Sequence, residues 1–263
     1  MSLPAPALDT AVLVTGASSG IGAELSRQLA GLGHDLAIVA RDADRLEAMA
    51  DELRRHNGVS VLVVPTDLGK AAPRKRLVDA VRDSEKTIVG LCNAACFGSY
   101  KRVQELNAKR ESEMVALNVT AVHELTLSFL PAMLERRAGA ILNVSSIAAF
   151  QPLPNMATYA ATKAFVQAFS ESLHGELAGS GVSCTTLAFG LGAAELGARV
   201  EFPPDEVAAA AIRGMLRGRR SVIPGVASKA LAAGGRFAPR SVLLPAARRA
   251  ANGNRLGNLR RAA

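Results

Sequence analysis

Aromatic residues are scarce in this chain, which has no Trp and is only 4% aromatic over 263 residues. Its core must therefore be built mainly from aliphatic side chains. Hydrophobic residues make up 49% of the chain and charged residues 21%, as expected for a soluble globular protein with a sizeable core. No apolar run reaches the roughly 18 residues of a membrane span. The N-terminus has no basic region followed by an apolar stretch, so we expect no signal peptide.

Cysteine is also rare. The three thiols are Cys92, Cys96 and Cys184, and this small, odd number fits a reducing cytoplasm. Cys92 and Cys96 could be metal ligands, but no cluster of Cys or His residues completes a metal site. We therefore expect a cytoplasmic protein without a metal, whose thiols are small buried side chains.

The net charge is +8 at pH 7, and much of the excess lies at the C-terminal end. The arginines there are Arg236, Arg240, Arg248, Arg249, Arg255, Arg260 and Arg261. A basic tail of this kind could contact nucleic acid or anionic lipid, or it could be an ordinary solvated surface. We favour the solvated surface and expect no nucleic-acid partner.

Apolar runs alternate with helical patterns along residues 1–225. The predicted strands are Ala11–Val14, Leu36–Ala40, Val59–Val64, Ile88–Cys92, Ala140–Val144, Val182–Leu187 and Ser221–Ile223. The predicted helices are Gly20–Leu32, Asp42 to about His56, one through Leu77 and Val81, Asn107–Arg137, Pro154–Ala178 and Asp205–Leu216. Uniformly apolar strands alternating with helices indicate a single α/β domain with a doubly wound parallel sheet of about seven strands. Residues 226–263 form a basic Ala/Arg-rich extension, which we expect to be partly helical.

A glycine-rich turn joins the first predicted strand to the first helix. Gly16, Gly20 and Gly22 are spaced G-x-x-x-G-x-G, which differs from the G-x-G-x-x-G fingerprint. Glycine lets the backbone turn tightly and approach a pyrophosphate, while the helix N-terminus offers free N–H groups and a partial positive charge. The hydroxyls of Ser18 and Ser19 add further donors. Between a strand and a helix, this turn predicts a site for a dinucleotide phosphate.

The end of the second predicted strand indicates which dinucleotide binds. An NAD site usually places Asp or Glu there to hold the ribose 2′-hydroxyl. This strand ends at Arg41, whose guanidinium can hold a 2′-phosphate through charge-assisted hydrogen bonds. Asp42 comes one residue too late and is expected to cap the next helix. We therefore expect NADP(H) in preference to NAD(H), although Arg41 could also be an ordinary surface residue.

A second constellation lies near the middle of the chain. Tyr159 and Lys163 are four residues apart and share one face of a predicted helix. A phenol in water has a pKa near 10, and a nearby ammonium favours its ionised form, so this pair predicts a general acid/base. Ser146, just after the fifth strand, can hydrogen-bond a substrate carbonyl oxygen. With the glycine turn, these residues predict hydride transfer to or from a carbonyl.

Together these motifs resemble the short-chain dehydrogenase/reductase family over about residues 11–225. The matching segments are Thr15–Gly22, Asp67-Leu68, Asn93-Ala94-Ala95, Asn118, Ser146 and Tyr159–Lys163. The strings Val39-Ala40-Arg41, Tyr159–Phe165 and Val222–Gly225 are similar to a bacterial, NADP-preferring subgroup. The resemblance implies a Rossmann-type fold and a homodimer or homotetramer. In such an oligomer the apolar helices Asn107–Arg137 and Pro154–Ala178 would pair across a two-fold axis.

The resemblance also implies roles for single residues. It implies a catalytic tetrad of Asn118, Ser146, Tyr159 and Lys163. Lys163 would also hold the nicotinamide ribose, and Asn118 would hold a water that links Lys163 to solvent. Asp67 would contact the adenine and Asn93 would lie beside the cofactor, whereas a purely structural interpretation makes Asn118 a helix kink and Asp67 a turn residue. The implied cofactor contacts are Gly16, Ser18, Ser19, Gly20, Ile21, Gly22, Arg41, Asp67, Leu68, Asn93, Ala94, Ala95, Tyr159 and Lys163.

Three departures from the family pattern concern the nicotinamide end. The family usually has Asn-Asn-Ala-Gly, so here Ala94 lacks an amide and Cys96 adds a side chain. After the sixth strand, Phe189 and Ala194 lie near the places where the family usually has a proline and a threonine. The loop that usually covers the substrate is short. These changes bear on cofactor affinity and turnover, and they leave the tetrad intact.

We therefore expect an NADP(H)-dependent oxidoreductase that interconverts a ketone or aldehyde and an alcohol, with Tyr159 as general acid/base. A set of apolar residues predicts a partly apolar substrate, unless these residues are ordinary core: Phe97, Phe150, Leu153, Met156, Phe189 and Leu191. One alternative is a cofactor-binding protein of the same fold with weak or no catalysis. Another is a peripheral membrane protein that uses Val242-Leu243-Leu244 and the following arginines.

Overall fold

Seven parallel strands form the sheet at the centre of the fold, in a computed structural model that describes residues 3–190 and 203–259. Strands β1 to β7 are Thr10–Thr15, Asp35–Ala40, Val61–Pro65, Thr87–Asn93, Gly139–Ser146, Val182–Phe189 and Ser221–Val222. Their order is β3-β2-β1-β4-β5-β6-β7. The predicted doubly wound sheet is confirmed. Strand β3 begins later than predicted because the Ser60 N–H donates to the Asp35 carboxylate at 2.7 Å, which turns the chain just before the strand.

Helices cover both faces of the sheet. Helices α1 to α9 are Gly20–Gly31, Ala43–Asn57, Ala71–Asp83, Ala108–Val115, Val122–Arg136, Ala157–Glu176, Pro204–Leu216, Val226–Phe237 and Arg240–Leu259. A π-helical segment, Ala116–Ala121, joins α4 to α5. Short 3₁₀ turns occur at Val103–Glu105 and Ile147–Phe150.

Side chains of successive strand residues divide between two core layers, as the alternation of a strand requires. In β1, Val12 and Val14 enter one layer, which also contains buried residues of α1, α2 and α7. Leu13 enters the other layer, with buried residues of α3, α5 and α6. Both faces of β1 are therefore apolar, which explains why the strand reads as a continuous apolar run.

The predicted long helix Asn107–Arg137 is present as the continuous segment from α4 to α5. Asn107 caps its start by accepting from the Arg110 N–H at 3.0 Å, and Arg137 ends it in a left-handed conformation. The segment is long and apolar enough to cross a membrane, with a mean hydropathy of 1.2 over its most apolar window. It packs, however, against β4, β5 and α6, as a core helix of this fold.

The strand order reverses at β1, which pairs with β2 on one side and β4 on the other. In open α/β sheets, ligands bind in the crevice at the carboxyl ends of the strands beside such a reversal. Thr15 and Asn93 lie opposite each other at this edge, and Ser146 ends β5 two strands away from β1. The topology therefore gathers the predicted site residues at one edge of the sheet.

The C-terminal extension is helical up to residue 259 and packs on the domain. Helix α8 comes close to the turn after β5, since a Cβ on Gly235 would lie 3.0 Å from the Phe150 carbonyl oxygen. Arg236 lies 3.7 Å from Glu171 of α6. Arg248 and Arg249 of α9 are exposed. The predicted solvated surface thus describes Arg248 and Arg249, whereas Arg236 contacts the domain.

Candidate active site

The turn after β1 is closed by contacts that only glycine permits. Gly16 has a φ of +71°, and its N–H donates to the Val39 carbonyl at 2.7 Å, which ties the turn to the end of β2. A Cβ on Gly22 would lie 2.2 Å from the Gly16 carbonyl oxygen. Helix α1 therefore begins directly against the turn, with no side chain between its first turn and the crevice.

The N-terminus of α1 offers backbone donors. Ser19 occupies the N-cap position with an extended backbone, and in the described structure its hydroxyl makes no capping hydrogen bond. The first turn of α1 contains no acidic residue. Its free N–H groups and the positive end of the helix dipole therefore favour an anionic oxygen. The uncapped helix and the glycine cradle fit the pyrophosphate of a dinucleotide.

Arg41 follows β2 at the same edge of the sheet and is exposed. The next residue, Asp42, accepts from the Arg45 N–H at 3.1 Å and caps α2. The interpretation of Asp42 as a helix cap is therefore confirmed. No carboxylate stands at the tip of β2, and the cationic side chain there is free of the cap.

Asp67 lies in the turn after β3, next to Arg41 in space. Its carboxylate accepts from the Gly69 N–H at 3.1 Å and pairs with Lys70 Nζ at 3.1 Å. Burial raises the pKa of Asp67, but the bonds from Lys70 and Gly69 and the charges of Lys70 and Arg41 together lower that pKa. Asp67 is thus an ionised turn residue beside Arg41, and the neighbouring Leu68 is buried.

Thr15 links the glycine turn to the loop after β4, a contact that the sequence analysis missed. Its Oγ1 accepts from the N–H groups of Ala94 at 3.0 Å and Ala95 at 3.1 Å, and it donates to the Cys92 carbonyl at 3.4 Å. The link exists because β1 and β4 are neighbours. The loop therefore has an anchor although Ala94 lacks the amide usual in the family.

The Asn93 side chain takes part in a buried amide network. Its Nδ2 donates to Asn143 Oδ1 at 2.9 Å and contacts Thr126 Oγ1 at 3.4 Å, and Asn143 Nδ2 donates to Ser170 Oγ at 2.8 Å. The network joins β4 and β5 to α5 and α6. Asn143 was not predicted, because only the pairing of β4 with β5 brings the two amides together.

Tyr159 and Lys163 lie on the buried face of α6, each 2% exposed. Lys163 Nζ lies 5.8 Å from the centroid of the Tyr159 ring and donates to the Val144 carbonyl at 2.9 Å. Lysine is almost never fully buried unless its charge is compensated. The pair predicted from the spacing is therefore brought together, with the ammonium anchored on β5.

Ser146 ends β5 and is 2% exposed. Its Oγ accepts from the Ala148 N–H at 3.1 Å and so begins the 3₁₀ turn. A hydroxyl that accepts one bond can still donate its own hydrogen. Ser146 is thus held in place by the backbone, with a donor for a substrate oxygen.

Asn118 lies in the π-helical segment and is 1% exposed. Its Oδ1 accepts from the Phe97 N–H at 3.2 Å, and its Nδ2 donates to the Phe97 carbonyl at 2.9 Å and to Thr162 Oγ1 at 3.1 Å. The extra residue of a π-helical turn re-aims side chains and is frequent at functional sites. Here Asn118 ties the loop after β4 to α6, next to Tyr159. Thr162 is a further positioning residue that the sequence analysis missed.

The apolar residues predicted to line a pocket fall into two groups. Leu153 and Met156 belong to a buried cluster with Tyr159, and Phe97 packs against that cluster. Phe150, at the end of the 3₁₀ turn, is half-buried. These four residues lie around the candidate acid/base.

The remaining two do not join that group in the described structure. Phe189 packs against the core layer beneath α7, and Leu191 lies outside the described residues, as does Ala194. In the loop after β4, Cys96 is half-buried, and a Cβ on Gly98 would lie 3.1 Å from the Tyr159 ring. The loop after β4 therefore runs directly past the catalytic tyrosine.

The thiols behave as small core side chains. Cys92 and Cys184 are buried, and burial raises the pKa of each thiol to about 12. All three cysteines are free. Within residues 3–190 and 203–259, no group of three or more His, Cys, Asp or Glu side chains could hold a metal ion.

Known proteins share this arrangement. Residues 10–201 match the family model for short chain dehydrogenase. The very-long-chain 3-oxoacyl-CoA reductase of Anas platyrhynchos is 35% identical over 184 residues, which cover 67% of this chain and 58% of that enzyme. The chain thus spans little more than half the length of that relative.

Two solved structures are also similar. A short-chain dehydrogenase from Sphingobium yanoikuyae in complex with NADPH is 33% identical, with a TM-score of 0.75 over 86% of this chain and 92% of that chain. A bulky-bulky ketone specific alcohol dehydrogenase from Comamonas testosteroni is 30% identical, with a TM-score of 0.76 over 91% of this chain and 92% of that chain. The glycine cradle, the buried Tyr159–Lys163 pair and these matches lead to one conclusion: this chain belongs to the short-chain dehydrogenase/reductase family of oxidoreductases.

Proposed function

We propose that this protein is an NADP(H)-dependent oxidoreductase that interconverts a ketone or aldehyde and the corresponding alcohol, with Tyr159 as general acid/base. The observation that carries the proposal is the burial of Tyr159 and Lys163 together on α6, beside Ser146. These residues lie at the edge of the sheet where the glycine turn opens. When bound, the cofactor supplies or accepts a hydride at its nicotinamide ring.

The chain's own residues have defined parts in reduction. The Tyr159 hydroxyl gives its proton to the carbonyl oxygen as the carbonyl carbon becomes the carbinol carbon. Ser146 donates a hydrogen bond to the same oxygen and orients it. The Lys163 ammonium favours the phenolate that remains. In oxidation, the phenolate takes the proton back from the alcohol.

Residues at both ends of the crevice would hold NADP(H). The turn Gly16–Gly22 and the N-terminus of α1 suit the pyrophosphate, and Arg41 suits a 2′-phosphate. The proposed preference for NADP(H) is supported by the NADPH-bound Sphingobium relative. Asp67 and Leu68, after β3, are proposed to contact the adenine.

The proposed substrate is partly apolar. Phe97, Leu153 and Met156 pack around Tyr159, so the carbonyl would meet an apolar surface beside the acid/base. Two relatives named for 3-oxoacyl-CoA and bulky ketones also support a large apolar substituent.

The experiment for the chemistry replaces Tyr159 by Phe, which removes one hydroxyl. We expect carbonyl reduction to fall by about a hundred- to ten-thousand-fold, measured from NADPH absorbance with a panel of ketones and aldehydes. Cofactor binding, measured by NADPH fluorescence, should persist because the cradle and Lys163 are unchanged. Lys163→Ala should weaken both. Near-normal reduction by Tyr159→Phe would exclude Tyr159 as the proton donor.

The cofactor preference is tested with Arg41→Asp. Losing a charge-assisted bond of about 1.5–3 kcal/mol corresponds to roughly ten- to a hundred-fold weaker NADPH binding. Arg55→Asp makes the same charge change in the last turn of α2 and should leave the ratio of NADPH to NADH dissociation constants unchanged. Equal affinities of the unmodified protein for the two cofactors would contradict the preference.

A second candidate is a cofactor-binding protein with weak or no catalysis, favoured by the side chain of Cys96 and by Ala94 in the loop after β4. The bonds from Thr15 to Ala94 and Ala95 and the buried Tyr159–Lys163 pair favour catalysis instead. Tight NADPH binding without reduction of any carbonyl in the panel would support the second candidate.

We also propose a cytoplasmic homodimer or homotetramer. Leu127 of α5 is 50% exposed and Phe165 of α6 is 40% exposed. Phe165 stacks on Phe169 at 5.9 Å between ring centroids, with His123 alongside. An exposed apolar surface of this kind on two adjacent helices suits isologous pairing with a second copy.

A further inference from the structure

An apolar cavity of about 250 Å³ lies between the surroundings of Tyr159 and the C-terminal helices. We call it the C-terminal cavity; its lining residues on the domain are Tyr100, Gln151, Leu153, Pro154 and Met156. The residues on the helices are Leu231 of α8 and Leu243, Ala246, Ala247, Ala250 and Ala251 of α9. It exceeds the cavity of about 150 Å³ that holds a benzene molecule in an engineered protein. It therefore has room for a fused ring system.

The cavity adjoins the candidate catalytic tyrosine. Leu153 and Met156 line it and also belong to the buried cluster that contains Tyr159. Gly98 lies against the Tyr159 ring, and Tyr100 lines the cavity two residues later. A substrate whose carbonyl oxygen meets Tyr159 would therefore have the C-terminal cavity next to the rest of its structure.

Small side chains of α9 keep the cavity open. Ala246, Ala247, Ala250 and Ala251 recur with helical spacing, so they share one side of α9 with Leu243. Leu244, on another side, is 46% exposed. A larger residue at one of the alanines would occupy the space that the cavity now offers.

Tyr100 supplies a polar group in these apolar surroundings. Its hydroxyl oxygen is buried and has no hydrogen-bond partner among the described residues. Buried polar atoms in native proteins nearly always have a partner. An unsatisfied hydroxyl that belongs to a cavity-lining residue points to a ligand that brings a polar atom of its own.

We propose that the C-terminal cavity receives the apolar arm of the substrate, and that the Tyr100 hydroxyl hydrogen-bonds to a polar group on that arm. The inference rests on the proposed function and specifies its substrate class. That class is a ketone, or its alcohol, with a ring-sized apolar substituent that carries a hydroxyl or carbonyl group. Helix α9 and Tyr100 then determine specificity, and neither takes part in proton transfer.

The test uses two ketones that differ by one hydroxyl, 2-acetylnaphthalene and 6-hydroxy-2-acetylnaphthalene, with cyclohexanone as a small reference. Naphthyl fluorescence reports their binding to the full chain saturated with NADP⁺, against little background because the protein has no Trp. Chromatography of the alcohols formed with NADPH gives kcat and KM separately.

Ala250→Leu places a larger side chain at an exposed rim position of the cavity, where misfolding is not expected. It should weaken binding of both naphthyl ketones and lower their kcat/KM by about tenfold or more, while cyclohexanone reduction stays within about twofold. Ala247→Leu is a second variant of the same wall. Ala233→Leu, the same change at an exposed α8 residue that does not line the cavity, should have no effect.

Tyr100→Phe should raise the dissociation constant and KM of the hydroxylated ketone by about tenfold, the loss of one hydrogen bond. Binding of 2-acetylnaphthalene should not change. Equal responses of the two ketones to Tyr100→Phe, unaltered binding in both α9 variants, or no binding by the unmodified protein would overturn the proposal. If the ketones bind with the expected variant pattern but are not reduced, the cavity assignment stands and the proposed function fails.

Discussion

Replacing Gly22 with Ala is expected to abolish tight NADPH binding without unfolding the protein. The added Cβ would lie 2.2 Å from the Gly16 carbonyl oxygen and 2.6 Å from the carbonyl carbon. Both atoms belong to the backbone, so no side-chain rotation relieves the overlap. Because non-bonded heavy atoms sit about 3.5–4.0 Å apart, the turn and the start of α1 must separate by more than about 1 Å.

That displacement acts directly on the phosphate cradle. A charge-assisted hydrogen bond contributes about 1.5–3 kcal/mol, so losing one such bond weakens binding by roughly ten- to a hundred-fold. The cradle offers several backbone donors at once, and we expect a loss of at least a hundred-fold. Overpacking usually costs about 1–3 kcal/mol of folding stability, which leaves a domain of this size folded.

The assay is an NADPH fluorescence titration, with thermal unfolding as a check on the fold. Gly31→Ala is the matched control, since it lies at the other end of α1, where the nearest atom to an added Cβ is Asn57 Nδ2 at 3.9 Å. It should bind NADPH normally and be no less stable, because Ala favours a helix over Gly. Normal NADPH affinity in Gly22→Ala would refute the assignment of this turn as the phosphate site.

Two further predictions concern stability and assembly. Burial lowers the pKa of His34, with a smaller opposing effect from Asp35, so the unfolded chain binds a proton more readily. The free energy of unfolding should therefore be fully present above pH about 6.5 and decrease as pH falls below it, and in urea titrations His34→Gln should flatten that dependence. Light scattering should give at least twice the 27.3 kDa chain mass at micromolar concentration, and Leu127→Glu should lower it; a monomeric unmodified protein would contradict the proposed assembly.

The fold was predictable because its signals are local. The apolar strands are buried on both faces, so each gives an uninterrupted run. The glycine turn is equally local, since Gly16 and Gly22 meet within one strand–turn–helix unit. Tyr159 and Lys163 are one helical turn apart, so their proximity follows from spacing alone.

The links between distant segments were not predictable in this way. Thr15 and Ala94 are 79 residues apart in the chain, yet they share a hydrogen bond. Asn93 and Asn143 meet only because β4 and β5 are adjacent. No periodicity or spacing in one segment encodes such a partner, because the partner is chosen by the order of strands in the sheet.

The C-terminal extension shows the same limit from the opposite direction. Its arginines suggested a solvated tail or a membrane contact through Val242-Leu243-Leu244. In the structure, Val242 and Leu244 are exposed, whereas Leu243 lines the C-terminal cavity. Composition describes the outer side of α9 correctly and cannot reveal that the inner side faces the surroundings of Tyr159.

The departures from the family pattern can now be weighed by position. Ala94 removes an amide from a loop that Thr15 holds by two backbone bonds, and Asn118 holds the same loop three residues later through Phe97. A loop fixed at both ends keeps its course past Tyr159 whether or not residue 94 has a polar side chain. The intact anchors therefore favour catalysis over binding alone, and Thr15→Val, which removes the hydroxyl at similar volume, should lower kcat for carbonyl reduction while leaving Tyr159 and Lys163 unchanged. Full activity in Thr15→Val would show that the loop needs no anchor at this end, and the argument against the binding-only candidate would lose its structural basis.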